Sequence, residues 1–162
     1  MNQEHLRTTE QETALKDWIA SQDTEGFLFL TLTLKQSITV LTDRGRTTIP
    51  TDWISASRSF RHFMNRLNQK TLRADYRKGR RRLKVIPFLE EKNGNLHYHC
   101  AIENPLFHET AFKHRLFYCW RKSPLGNINN HGRVCEDDDW TAYCLKRQTN
   151  NWNTLDWNNL SL

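Results

Sequence analysis

The sequence predicts an α+β fold: a central, largely antiparallel sheet with flanking helices. Three observations carry this. The stretch GFLFLTLTLK (26–35) is too apolar and too regularly alternating for anything but a central strand. Apolar residues recur at helical spacing across 52–74 and 109–122. VIPFLE (85–90) and LHYHCAIE (96–103) are joined by KNGN, a strong hairpin signal. A hairpin set among alternating helices and strands implies antiparallel pairing. At 162 residues the chain suits one domain with a real core, and no Pro/Gly/Ser-rich linker or repeat divides its interior.

In chain order, residues 8–20 read as a helix, with Thr8 or Thr9 as cap and Ala14, Leu15, Trp18 and Ile19 on one stripe. In the strand 26–35, Leu28, Leu30, Leu32 and Leu34 share one face. Phe27, Phe29, Thr31 and Thr33 share the other. The DRG turn between ITVLT and RTTIP makes 36–50 a hairpin excursion. The long helix 52–74 takes Thr51 or Asp52 as its cap and buries Trp53, Ala56, Phe60, Phe63, Met64 and Leu67. After the 85–103 hairpin come a helix over 109–122, a short strand over 131–136 and a helix over 137–148 with an acidic first turn. The tail 149–162 is Asn-rich, and its Trp152 and Trp157 either stack on bases or fold back over the domain.

Lysines and arginines number 24 against 18 acidic residues, a net charge of +6, which favours an anionic partner such as nucleic acid. No apolar run approaches the ~20 residues of a membrane span, so no membrane partner is expected. The polar, acidic N-terminus is neither a secretory signal nor a transit peptide. Cys100, Cys119, Cys135 and Cys144 form no CxxC pair, which argues against a zinc ribbon. They read as reduced, buried thiols of a cytoplasmic protein.

The hairpin carries the most informative chemistry. In a strand, His97 and His99 point to one face and Tyr98 to the other. With Asn93-Gly94 as the turn, Glu90 falls opposite His97 and Phe88 opposite His99, and opposed residues share a face. Glu90, His97 and His99 then make a two-imidazole, one-carboxylate triad for a divalent metal. A bulge would give the carboxylate role to Glu91. Downstream, Tyr143 and Lys146 stand at i and i+3 on the expected helix and share a face. A phenol of pKa ~10 becomes a useful nucleophile only beside a cation.

This ordered set resembles the HUH endonuclease superfamily, and within it the single-tyrosine rolling-circle replication initiators, the Rep proteins. Phe29 to Thr33 (FLTLT) match the first motif, His97-Tyr98-His99 the second, and Tyr143 and Lys146 the Tyr-x-x-Lys of the third. The motifs span residues 27–147 in family order. The resemblance implies a catalytic domain over 1–148, metal-dependent nicking of single-stranded DNA, and a covalent 5′-phosphotyrosine at Tyr143 with a free 3′-OH. In that reading Lys146 positions the phosphate or stabilises its charge. The metal, Mn²⁺ or Mg²⁺, polarises the scissile bond from Glu90, His97 and His99.

Two departures qualify the match. The residue between the histidines is aliphatic in most members and is Tyr98 here. No GxxxxGK[ST] sequence is present, so unwinding is left to a host helicase or to supercoiling. Arg77, Lys78, Arg80, Arg81, Arg82 and Lys84 form the densest basic cluster, suited to the DNA backbone. Two alternatives stand beside this reading: a single-tyrosine transposase of the insertion-sequence type, and a non-catalytic nucleic-acid-binding α+β module.

Overall fold

β1 (Phe27–Thr33) organises the molecule in the computed structural model, which describes residues 10, 13–15, 17–106, 108–134 and 154–162. β5 (Asn95–Glu103) pairs with it on one side and β6 (His131–Val134) on the other. β4 (Val85–Lys92) lies outside β5, giving the order β4-β5-β1-β6 with these three pairings antiparallel. β2 (Ser37–Thr42) and β3 (Gly45–Pro50) form a separate two-stranded ribbon, the excursion expected of 36–50. Among the described residues, and beyond the helical residues 17–20, the helices include α1 (Trp53–Leu72), a single turn α2 (Ala74–Arg77) and α3 (Glu109–Arg121). The chain is therefore α+β with a largely antiparallel sheet and flanking helices.

The alternation in β1 divides the interior into two cores. Leu28, Leu30, Leu32 and Leu34 face α1 and α3 and pack with Phe60, Phe63, Leu67, Leu116 and Trp120. Phe27 and Phe29 face the other way. They pack with Ile86, Phe88 and Ala101 of the sheet, and with Ile19 and Leu155 from near the two chain ends. The helical residues 17–20 and the C-terminal segment thus cover part of the second face.

α1 starts at Asp52, whose carboxylate accepts from the Ser55 amide at 2.7 Å while Ser55 Oγ accepts from the Asp52 amide at 3.0 Å. This is a reciprocal capping box. The helix ends where Arg73 takes a positive φ of 49°. The expected buried stripe holds from Ala56 to Leu67, but Trp53 is 42% exposed. It stands in the first turn at the rim of a groove, where the sheet no longer covers it.

The C-terminal residues fold back along the outer edge of β4. Leu155 bridges Phe88 and Ser161 bridges Val85, so this segment pairs part of an edge that would otherwise be open. Cys100 and Cys119 are free and buried, and burial pushes both thiols up. Among the described residues no helix is long and apolar enough to cross a membrane. Cys135, Cys144, the helix expected over 137–148 and Trp152 lie outside the described residues.

Candidate metal centre

Asn93 and Gly94 both have positive φ, 54° and 75°, as a two-residue turn of type I′ demands. That turn fixes the register. Glu90 pairs with His97, Phe88 with His99, and Glu91 with Leu96. No bulge intervenes, so Glu90 is the carboxylate on the histidine face and Glu91 lies on the other.

The triad converges. Glu90 Oε2 lies 3.7 Å from His97 Nε2 and 3.6 Å from His99 Nε2. One ligand atom from each of the three lies within 4.8 Å of the others. Metal–ligand bonds of ~2.1 Å would set such atoms about 3–3.5 Å apart, so small side-chain rotations close the site. Side-chain exposures of 14%, 14% and 8% for Glu90, His97 and His99 leave a sheltered site with one open side. This group can hold a metal ion.

The second nitrogens of both rings are engaged, and that orients the first. His97 Nδ1 lies 3.3 Å from the Asn95 carbonyl oxygen. A carbonyl only accepts, so Nδ1 carries a proton and Nε2, which faces Glu90, is the nitrogen left to serve as a metal ligand. His99 Nδ1 lies 3.0 Å from Thr31 Oγ1 on β1, the residue directly opposite it. A hydroxyl or carbonyl behind each imidazole is the usual arrangement around ligating histidines.

Thr31 is a supporting residue that the sequence reading passed over, though its placement on the non-leucine face of β1 was the available signal. Its neighbour Thr33 opposes His97 and is tied to the 127–130 loop. His131 on β6 opposes Thr31 and so lies on the same face, two strands from His99. Beside His97 opens a cavity of about 420 Å³ whose lining includes Thr33, Lys92 and the amides of Asn95, Asn127 and Asn129.

Tyr98 points away, as alternation requires. It is buried against Phe60, with ring centroids 4.3 Å apart, and donates its hydroxyl to Asp156 Oδ2 at 2.7 Å. Burial, then the charge of Asp156, raises its pKa well beyond the ordinary tyrosine value. It stays a neutral phenol and is unfit as a nucleophile.

The basic cluster occupies the opposite end of the hairpin. Arg77 closes α2, and Lys78, Arg80, Arg81, Arg82 and Lys84 precede β4. Glu90 lies six positions beyond Lys84, about 20 Å of extended strand. Arg81 is held by Glu103 at 2.5 Å, and Arg80 lies 4.0 Å from Asp75. Arg82 lies over the ring of Tyr76 at 5.5 Å. Tyr143 and Lys146 lie outside the described residues.

No family model, no curated protein and no solved structure matches this chain.

Proposed function

We propose that this chain is a metal-dependent, single-stranded DNA nicking and joining enzyme of the HUH type, serving rolling-circle replication through a covalent 5′-phosphotyrosine. The observation that carries the proposal is the convergence of Glu90, His97 and His99 on one sheet face, with Thr31 and the Asn95 carbonyl behind the two imidazoles. The residue types suit Mn²⁺ or Mg²⁺ and leave positions for phosphate oxygens. Zinc-type structural closure would need a fourth protein ligand, and the described residues place no further His, Cys, Asp or Glu in this group.

When bound, the metal would act as a Lewis acid on the scissile phosphate. Tyr143 would attack phosphorus through its phenolic oxygen, forming a tyrosyl–phosphate bond. The phosphorus–3′-oxygen bond would break, and the 3′-oxygen would leave as a hydroxyl with the phenolic proton balancing it. Lys146, three positions after Tyr143 in the sequence, would place an ammonium group against the developing charge. Attack by a 3′-OH on the tyrosyl phosphate reverses these steps and rejoins strands without ATP. The sequence pattern supports these two roles, and the basic run 77–84 supports a polyanionic substrate.

A non-catalytic sheet that reads bases would need exposed aromatics on its surface. Phe27, Phe29 and Phe88 are instead buried under the chain's own terminal segments. The deciding experiment mixes the protein with a randomised single-stranded DNA pool, with Mn²⁺ or with EDTA, and runs denaturing gels. An SDS-resistant adduct that requires Mn²⁺ and disappears in Tyr143→Phe is expected. Salt-sensitive binding with no adduct would overturn the enzymatic reading, and adduct surviving in Tyr143→Phe would remove that residue as nucleophile.

A further inference from the structure

A groove runs between α1 and the C-terminal segment 154–162, on the helix side of the sheet and away from the triad. Its first part, about 370 Å³, is flanked by Trp53, Ile54 and Trp157 and carries Arg58 and Arg61. Its second part, about 460 Å³, shares Arg61 and Asn158 with the first and ends at Tyr76 and Arg82. The two parts adjoin at Arg61, whose guanidinium reaches across to donate to the Asn158 carbonyl oxygen at 3.4 Å, and Arg82 belongs to the basic run 77–84.

Three features suit a chain of bases and phosphates. Trp53 and Trp157 are 42% and 56% exposed, and Trp157 is backed by Trp18 at a centroid distance of 6.4 Å and a 28° interplanar angle. Such a supported indole offers a free π-face to a planar ring at little entropic cost. Guanidiniums recur along the channel at Arg58, Arg61 and Arg82. Asp156, the acidic residue of the lining, is buried and accepts from Ser57, Tyr98 and Asn159, so its charge is screened from the channel. Alternating aromatic faces and cations are the chemistry of sequence-tolerant single-strand binding.

We infer that this groove is a binding track for a single-stranded polynucleotide, with bases stacked on Trp53 and Trp157 and phosphates held by Arg58, Arg61 and Arg82. The positive charge favours a polyanion over a neutral peptide. Leu89 lines the groove and directly precedes Glu90 in β4. Glu90 itself faces the opposite side of the sheet. The inference does not depend on the metal centre or on covalent chemistry.

The test is fluorescence anisotropy of labelled oligodeoxythymidine in EDTA, beside an abasic strand of equal length. Stacking predicts that the parent binds the abasic strand more weakly. Trp53→Ala should lose roughly tenfold on oligodeoxythymidine, little on the abasic strand, and recover in Trp53→Phe. Arg58→Ala should lower the salt slope by about 0.7, the value for one phosphate contact on a single strand. Trp157→Ala adds a second reading if its melting temperature is unchanged; Trp53→Ala decides if it is not. Equal affinity for both strands, or Trp53→Ala binding like the parent, overturns the track. Because EDTA is present throughout, this result is separate from the Mn²⁺-dependent adduct: either can fail while the other stands.

Discussion

Replacing Thr31 with valine tests whether the triad is built as a metal site or merely collects polar groups. The change swaps a hydroxyl for a methyl on a β-branched frame, so β1 keeps its strand preference and its pairing to β5 and β6. What is lost is the 3.0 Å contact between Thr31 Oγ1 and His99 Nδ1. That hydrogen bond contributes about 1 kcal/mol to stability, the usual net value. Its effect on metal affinity is larger, because freeing Nδ1 lets the ring rotate and change tautomer. Loss of such a supporting group lowers affinity about 10–100-fold, which is about 1.4–2.8 kcal/mol. Titration of Mn²⁺, following the electron paramagnetic resonance signal of the free ion, measures that change directly. Urea unfolding measures the stability term in parallel. Thr31→Val should weaken Mn²⁺ binding by that factor, and His99→Ala should abolish it. Unchanged Mn²⁺ affinity in Thr31→Val, with the stability loss present, would refute His99 as an oriented ligand.

Other substitutions separate the site from its scaffold. Glu90→Gln preserves volume and removes the charge facing both Nε2 atoms; Mn²⁺ binding should vanish by the same titration while the urea midpoint stays near the parent's. Tyr98→Phe leaves Asp156 short of one donor in a buried setting, costing about 1–3 kcal/mol in urea unfolding, with Mn²⁺ affinity unchanged because the phenol lies on the opposite face. Asp52 has a lowered pKa because the Ser55 side chain and then its amide hydrogen-bond to the carboxylate. Its stabilising contribution is therefore present above the ordinary value of 3.8 and lost as pH falls through the lower folded value. Asp52→Asn should be less stable than the parent at neutral pH, and the gap in urea midpoint should narrow as the pH falls below 3.8.

The parts of this fold set by short-range chemistry were legible in the sequence. Asn93-Gly94 demands two positive φ values, and that requirement alone carried the Glu90–His97 register through to the structure. The period-two pattern of β1 separated the leucine core from the phenylalanine core for the same reason. Interactions that join residues distant in sequence were not legible. Nothing in WNTLDWNN announces that Asp156 will meet Tyr98 and Ser57, or that Leu155 will pair with Phe88. Trp53 was misplaced because helical periodicity gives a face but does not say where the opposing sheet ends. Thr31 was placed on the correct face, yet its role depended on a cross-strand partner that is only visible once β1 lies beside β5.

Tyr98, the residue between the two histidines, connects the two sides of the sheet. Its neighbours His97 and His99 face the candidate metal, while its own ring lies against Phe60 of α1 and its hydroxyl meets Asp156. Asp156 in turn accepts from Ser57 of α1 and from Asn159, and its amide donates to the Pro87 carbonyl of β4. Through its carboxylate and its amide, this one residue ties β5, α1, β4 and the C-terminal segment together directly behind the two imidazoles. An aliphatic side chain could fill the same space but could not reach Asp156. Ligands carried on strands whose reverse side is locked in this way hold their geometry better than ligands on loops. The tyrosine between the histidines is best understood as part of the anchor that keeps their shared face rigid.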